Sequence, residues 1–219
     1  MAEVTAQLVK QLRERTGAGM MDCKKALDET GGDLDAAVVF LRKKGIASAG
    51  KKSARATRQG IIGTYIHPGS QLGVLVEINC ESDFVARTPD FQQLVHDIAM
   101  QIAAADPRFI RREEVTPEIL EKEKEIASAR ALGEGKPANV VERIAAGRME
   151  KFYEEVCLYE QPFIKDNSTT VETMIKSTIA KLQENISVSR FVRFKVGDGI
   201  PASEGPSAEA PPAGVGQPV

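Results

Sequence analysis

Between Asp35 and Glu77 the chain carries no acidic residue, yet Arg42, Lys43, Lys44, Lys51, Lys52, Arg55 and Arg58 all fall inside that window. Gly45, Ser48, Ala49, Gly50, Ser53 and Ala54 accompany them. A basic run diluted by glycine and small residues reads as a helical or flexible linker between two folded units. It divides the chain into a unit over 1–44, a linker over 45–59 and a second unit over 60–199. The whole chain has 219 residues, 42% hydrophobic and 27% charged, with a net charge of -2. That is the composition of a soluble globular protein with enough chain for a real core. No apolar run approaches the roughly 18 residues of a membrane span. The first residues, Met1 to Val4, lack the basic and apolar regions of a signal peptide, so a cytoplasmic location is expected. Cys23, Cys80 and Cys157 stand far apart, and His67 and His96 are the only histidines; neither a structural zinc nor a disulfide framework is expected. Aromatic residues make up 5% and tryptophan is absent, so the core must be aliphatic.

Before the linker, Val4, Leu8 and Leu12 form one helical stripe. The stretch Thr16-Gly17-Ala18-Gly19 ends it, because glycine accepts a positive φ at little cost. A second short helix is expected from about Asp22, burying Cys23, Ala26 and Leu27. Gly31-Gly32 stops it, and Asp33 caps a third helix whose inner face is Leu34, Ala37, Val38 and Leu41. Three such helices form a small bundle too slight to be very stable alone. After the linker, Ile61 to His67 and Leu72 to Cys80 flank Pro68-Gly69-Ser70-Gln71 and read as a β-hairpin. Thr88-Pro89 then opens a helix with Phe91, Leu94, Val95, Ile98, Ala99 and Ile102 on one face.

Thr116-Pro117 repeats that start signal for a charged helix to about Leu132. A turn at 133–137 leads to a partner helix with Val141, Ala145, Met149, Phe152 and Val156 on one side. The thin apolar seam of this helical hairpin, 116–156, fits projection into solvent, with a flat position on the core as the alternative. A short β-segment near Leu158 to Ile164 follows, then a capping box of Thr169 with Glu172 opening a helix that turns Val171, Met174, Ile175, Ile179 and Leu182 inward. Ile186 to Val196 alternates as a strand should. From Gly197 onward Gly, Pro and Ala dominate, and 200–219 is read as a disordered tail. The fold class is therefore α+β.

Catalytic patterns are missing. Gly45 to Lys52 resembles a phosphate-binding loop, but Lys52 occupies the position of the Mg²⁺-binding hydroxyl and the preceding segment has helical periodicity where a strand is needed. His67 and His96 read as surface residues, and no nucleophile or metal-ligand motif stands out. No enzyme activity and no cofactor are expected. An RNA- or ribosome-binding role for the basic segment 42–58 remains as a second reading; without interleaved aromatics it would rest on phosphate contacts alone. Two further features draw attention. Met20 and Met21, with Lys24 a turn beyond, either plug the small bundle or meet a partner; composition favours the plug. Ser82-Asp83-Phe84-Val85 either forms an Asx turn with Phe84 tucked inward or displays Phe84 at a binding tip; turn chemistry favours the first.

Thr16 to Leu27 (TGAGMMDCKKAL) resembles the amino-terminal signature of the translation elongation factor Ts family, and Cys80 to Arg87 (CESDFVAR) resembles its second signature. Gly147-Arg148-Met149, Lys151-Phe152, Gln161-Pro162-Phe163 and Phe191 to Gly199 resemble the carboxyl-terminal half in collinear order. The resemblance implies an amino-terminal three-helix module of ubiquitin-associated type joined to an α+β core with an antiparallel sheet and a coiled-coil hairpin. It implies guanine nucleotide exchange on elongation factor Tu, with no nucleic acid or membrane as partner. Asp83 and Phe84 would then intrude on the partner's Mg²⁺ and phosphate region, Ser82 and Val85 would complete the loop, and Met20, Met21 and Lys24 would dock on the partner. The resemblance reverses the two readings made from the residues alone. Most members carry a duplicated core; here CESDFVAR runs almost directly into a segment resembling the second copy, which fits the short, single-subdomain form. Ser82 replaces the commoner Thr, and the Pro/Ala-rich tail stands where longer members have a terminal helix.

Overall fold

The computed structural model describes residues 4–198, so the expected disordered tail, 200–219, lies outside the described residues. Three helices open the chain: α1 (Ala6–Thr16), α2 (Met20–Glu29) and α3 (Leu34–Lys52). Thr5 caps α1 by accepting the Leu8 N–H, and Gly17, at φ 69°, ends it in the left-handed conformation. Asp33 caps α3 by accepting from the N–H groups of Asp35 and Ala36. Leu12, Cys23, Ala26, Leu27 and Ala37 are fully buried in the bundle, with Leu34, Val38 and Leu41 packed against them.

One expectation is corrected here and one alternative is decided. Helix α2 starts at Met20, with Gly19 at its cap and no side-chain capping bond, so Asp22 lies inside the first turn. Of the helical and flexible readings of the linker, its first part takes the helical one: α3 continues through Gly45 to Lys52, with no loop there to cradle a phosphate. Gly45 serves packing rather than interruption. A Cβ placed there would come within 2.7 Å of the Ala180 side chain, so glycine lets α3 lie close on helix α8 (Val171–Leu182). The non-helical part of the expected linker is confined to 53–58.

Strands β1 (Gln59–Ile66) and β2 (Leu72–Cys80) form the expected antiparallel hairpin, and β5 (Ile186–Lys195) pairs with the other edge of β2, giving the order β1-β2-β5. Val74, Val76 and Ile78 are buried from one side of the sheet beneath α5 (Pro89–Ala105), whose Phe91, Leu94, Val95, Ile98, Ala99 and Ile102 are all buried as the stripe required. Ile62, Ile66, Val192 and Phe194 remain exposed. Between α5 and α8 come α6 (Pro117–Gly133) and α7 (Ala138–Val156), which pack chiefly on one another, followed by the small hairpin β3 (Pro162–Phe163) with β4 (Asp166–Thr170). Ala131, Val141 and Ala145 form the seam of the helical pair, and Val115, Val156 and Cys157 fix its base beside Phe109 and Phe152. The projecting reading of this hairpin holds. The cap of α8 is shifted by one residue from expectation: Thr169 lies in β4, and Thr170 accepts the Thr173 N–H.

Candidate functional site

The second signature folds into a single helical turn, α4 (Asp83–Ala86), wedged between the end of β2 and the start of α5. Ser82 is its cap, with Oγ accepting the Val85 N–H at 3.4 Å. Successive side chains on a helix are about 100° apart, so Val85 and Ala86 share the side toward the main core while Phe84 lies on the side away from it. Phe84 is 80% exposed. The tucked position favoured by turn chemistry is overturned: with Val85 and Ala86 already seated in the core, the ring next to them on so short a turn has to face outward. Asp83 does not close an Asx turn; its Oδ2 accepts from the Arg87 guanidinium at 2.9 Å.

The turn is held from beneath by polar bonds. The Cys80 thiol donates to the Ser82 carbonyl at 3.1 Å, and the Thr88 hydroxyl donates to the Val85 carbonyl at 2.8 Å. Thr88 then caps α5 by accepting the Phe91 N–H. Burial, with the Glu184 carboxylate adding to it, pushes the Cys80 thiol above its ordinary pKa, which keeps it protonated as a donor. Glu184 and its neighbour Asn185 sit on the corner between α8 and β5. The Glu184 carboxylate accepts the Ser82 backbone N–H at 2.9 Å and the Ser82 hydroxyl at 2.6 Å. Asn185, buried, donates to the carbonyls of Ser53 and Arg55, and its own N–H is accepted by Glu81. Neither Glu184 nor Asn185 was singled out from the sequence, since a glutamate or asparagine after a helix carries no signal of its distant partner.

The other candidate residues lie on α2. Met20 is 59% and Met21 68% exposed, and Lys24 is exposed and forms no ion pair among the described residues. The bundle is filled by Leu12, Cys23, Ala26 and Leu27, so the two methionines do not plug it. They stand in the first turn of the helix, on the side away from that core. The structure therefore does not place the α2 group and the α4 group on one element; they are linked through α3, α8 and the 183–185 corner.

Much of the basic window is occupied internally. Lys44 pairs with Asp22 at 3.0 Å, Arg55 pairs with Glu81 at 3.4 Å, and Arg42 donates to the Thr169 hydroxyl. Lys52 is buried and donates to Gln183 at 2.7 Å; burial lowers its pKa below the ordinary lysine value. Lys43, Lys51 and Arg58 form no ion pair among the described residues. Among the described residues no cluster of His, Cys, Asp and Glu is arranged to hold a metal ion, and no helix is long and apolar enough to cross a membrane. All three cysteines are free and buried.

The family model described as elongation factor TS matches residues 47–198. The chain belongs to the elongation factor Ts family. Elongation factor Ts of Solibacter usitatus is 68% identical over 212 residues, covering 95% of this chain and all of that protein. The protein of the same name from Koribacter versatilis is 63% identical over 89% of each chain. That from Desulforamulus reducens is 60% identical over 91% of this chain and 92% of its own. Membership of the elongation factor Ts family makes this a translation elongation factor, and the α+β architecture, with its amino-terminal helices and antiparallel sheet, accords with it. The elongation factor Ts match begins inside α3 and includes the whole 82–85 turn.

Proposed function

We propose that the chain is a guanine nucleotide exchange factor that binds elongation factor Tu with GDP bound and, more tightly, without nucleotide, and that it promotes GDP release by pressing Asp83 and Phe84 into the region that holds Mg²⁺ and phosphate. The observation that carries this reading is Phe84: a large apolar ring, 80% exposed, on a turn fixed by hydrogen bonds on both sides. Exposed aromatic side chains on rigid mounts are the usual centres of binding energy. No acid, base or nucleophile is required. A protein that binds the nucleotide-free partner more tightly than the GDP-bound one lowers GDP affinity by the same factor, by linkage. Disturbing the ion leaves the phosphate charges less neutralised, and the carboxylate of Asp83 adds to that effect.

In this reading the helical unit over 1–44 is the docking module, with Met20, Met21 and Lys24 as contacts, and the core over 60–199 carries the exchange turn, in support of translation elongation in the cytoplasm. Methionine suits such a surface because its flexible, polarisable side chain adapts to an apolar groove. The test is release of fluorescently labelled GDP from elongation factor Tu, followed by stopped flow with and without the full chain. Accelerated release supports the proposal; identical rates at micromolar concentrations of the chain reject it.

A further inference from the structure

The corner between α8 and β5 joins two separate parts of the molecule, the end of α3 and the cap of the Phe84 turn, with three consecutive residues. Gln183, in the left-handed conformation at φ 63°, ends α8 and accepts from Lys52 at the end of α3. Glu184 accepts from both donors of Ser82, its N–H and its hydroxyl, at the cap of the Phe84 turn. Asn185 holds the carbonyls of Ser53 and Arg55, on the segment that leaves α3. The reversal at Gln183 is what brings Glu184 back against the end of β2.

We propose that Glu184 is a positioning residue: through Ser82 it holds the Phe84 turn in fixed register with the amino-terminal helices, so that docking of the module and insertion of the ring occur together. The inference rests on the exchange function proposed above. A four-residue helix cannot hold its own shape, because forming the first turn fixes several dihedrals for a single internal bond. The turn therefore needs an external anchor. Hydrogen bonds to a carboxylate are short and stronger than neutral ones, and the Ser82 hydroxyl, in donating to Glu184, keeps its lone pairs directed at the Val85 N–H. Removing the carboxylate leaves a partly buried amide and hydroxyl without their acceptor. Glu184 reaches the partner only through the ring it holds.

The experiment uses the full chain and its Glu184→Ala and Glu184→Gln variants. In stopped-flow GDP release from elongation factor Tu, Glu184→Ala is expected to lower the maximal rate at saturation about tenfold, the scale of losing a charge-assisted bond, with the half-saturating concentration nearly unchanged. Glu184→Gln, which keeps one carbonyl acceptor, falls in between and carries the same tests if the alanine variant does not fold. In a Phe84→Ala background the substitution should cause no further loss. Independently of any partner, amide hydrogen exchange at Ser82 and Val85 should accelerate in Glu184→Ala while the α5 amides stay protected. A wild-type maximal rate, an equal loss in the Phe84→Ala background, or unchanged protection at Ser82 would each overturn the assignment. If the unsubstituted chain fails to accelerate GDP release, the exchange function falls, while the amide measurement still decides whether Glu184 anchors the turn.

Discussion

Phe84 and Phe91 lie in consecutive helices behind nearly the same local grammar, a hydroxyl cap followed by an acidic residue near the helix start, yet one ring is 80% exposed and the other fully buried. The difference lies in what each helix has to offer the core. Helix α5 is long enough to present a continuous apolar stripe, and Phe91 is the first member of that stripe. Helix α4 is a single turn whose inward positions are taken by Val85 and Ala86, so its largest apolar side chain is left outside. The first ring stabilises the fold; the second stands in water on a turn held by bonds from elsewhere, the arrangement on which the proposed exchange function rests.

The sharpest break of this comparison is Phe91→Ala. It is expected to cost about 3–5 kcal/mol of stability, as for other large core truncations, measured by denaturant unfolding; a loss below 1 kcal/mol would mean that the site is not packed. Phe84→Ala should leave the unfolding midpoint nearly unchanged and yet reduce the maximal rate of GDP release roughly thirtyfold, equivalent to a hot-spot loss of about 2 kcal/mol. It should affect the rate more than the affinity for elongation factor Tu, and an unchanged rate would remove the ring from the mechanism. The double substitution Met20→Ala/Met21→Ala is expected to weaken association by about 1 kcal/mol, the level of an ordinary interface contact. Calorimetry should register it, with the rate at saturation preserved; a rate loss at saturation would show that the module does more than dock. Smallest is Arg87→Ala. It removes an exposed i,i+4 pair with Asp83, worth about 0.3–0.5 kcal/mol, so neither unfolding nor exchange should shift beyond that scale.

The elements with long stripes were legible in the sequence. Helix α5, the β1–β2 hairpin, α7 and β5 follow from periodicity and turn residues, because each buries one continuous face and its pattern repeats often enough to be read. The errors fall where a local signal has two physical uses. Gly45 reads as a linker residue, and in the fold it lies inside α3 as a contact point against Ala180. Asp22 reads as a cap, and in the fold it sits within the first turn and pairs with Lys44. Thr169 and Thr170 are adjacent hydroxyls, and the ladder of β4 decided which of them caps α8.

The signatures at 16–27 and 80–87, with the collinear motifs of the carboxyl-terminal half, pointed to the family and to the residues worth asking about, since they are linear features that need no packing to be seen. The acid-free window, by contrast, suggested a free basic arm, and only the tertiary structure showed Lys44, Lys52 and Arg55 engaged by Asp22, Gln183 and Glu81. The exposure of Phe84, Met20 and Met21 likewise depended on which neighbours had already filled each core. The anchoring of Ser82 by Glu184 joins positions 102 residues apart. Such a contact leaves no local trace in the chain, because it exists only when a helix end and a strand end arrive at the same place.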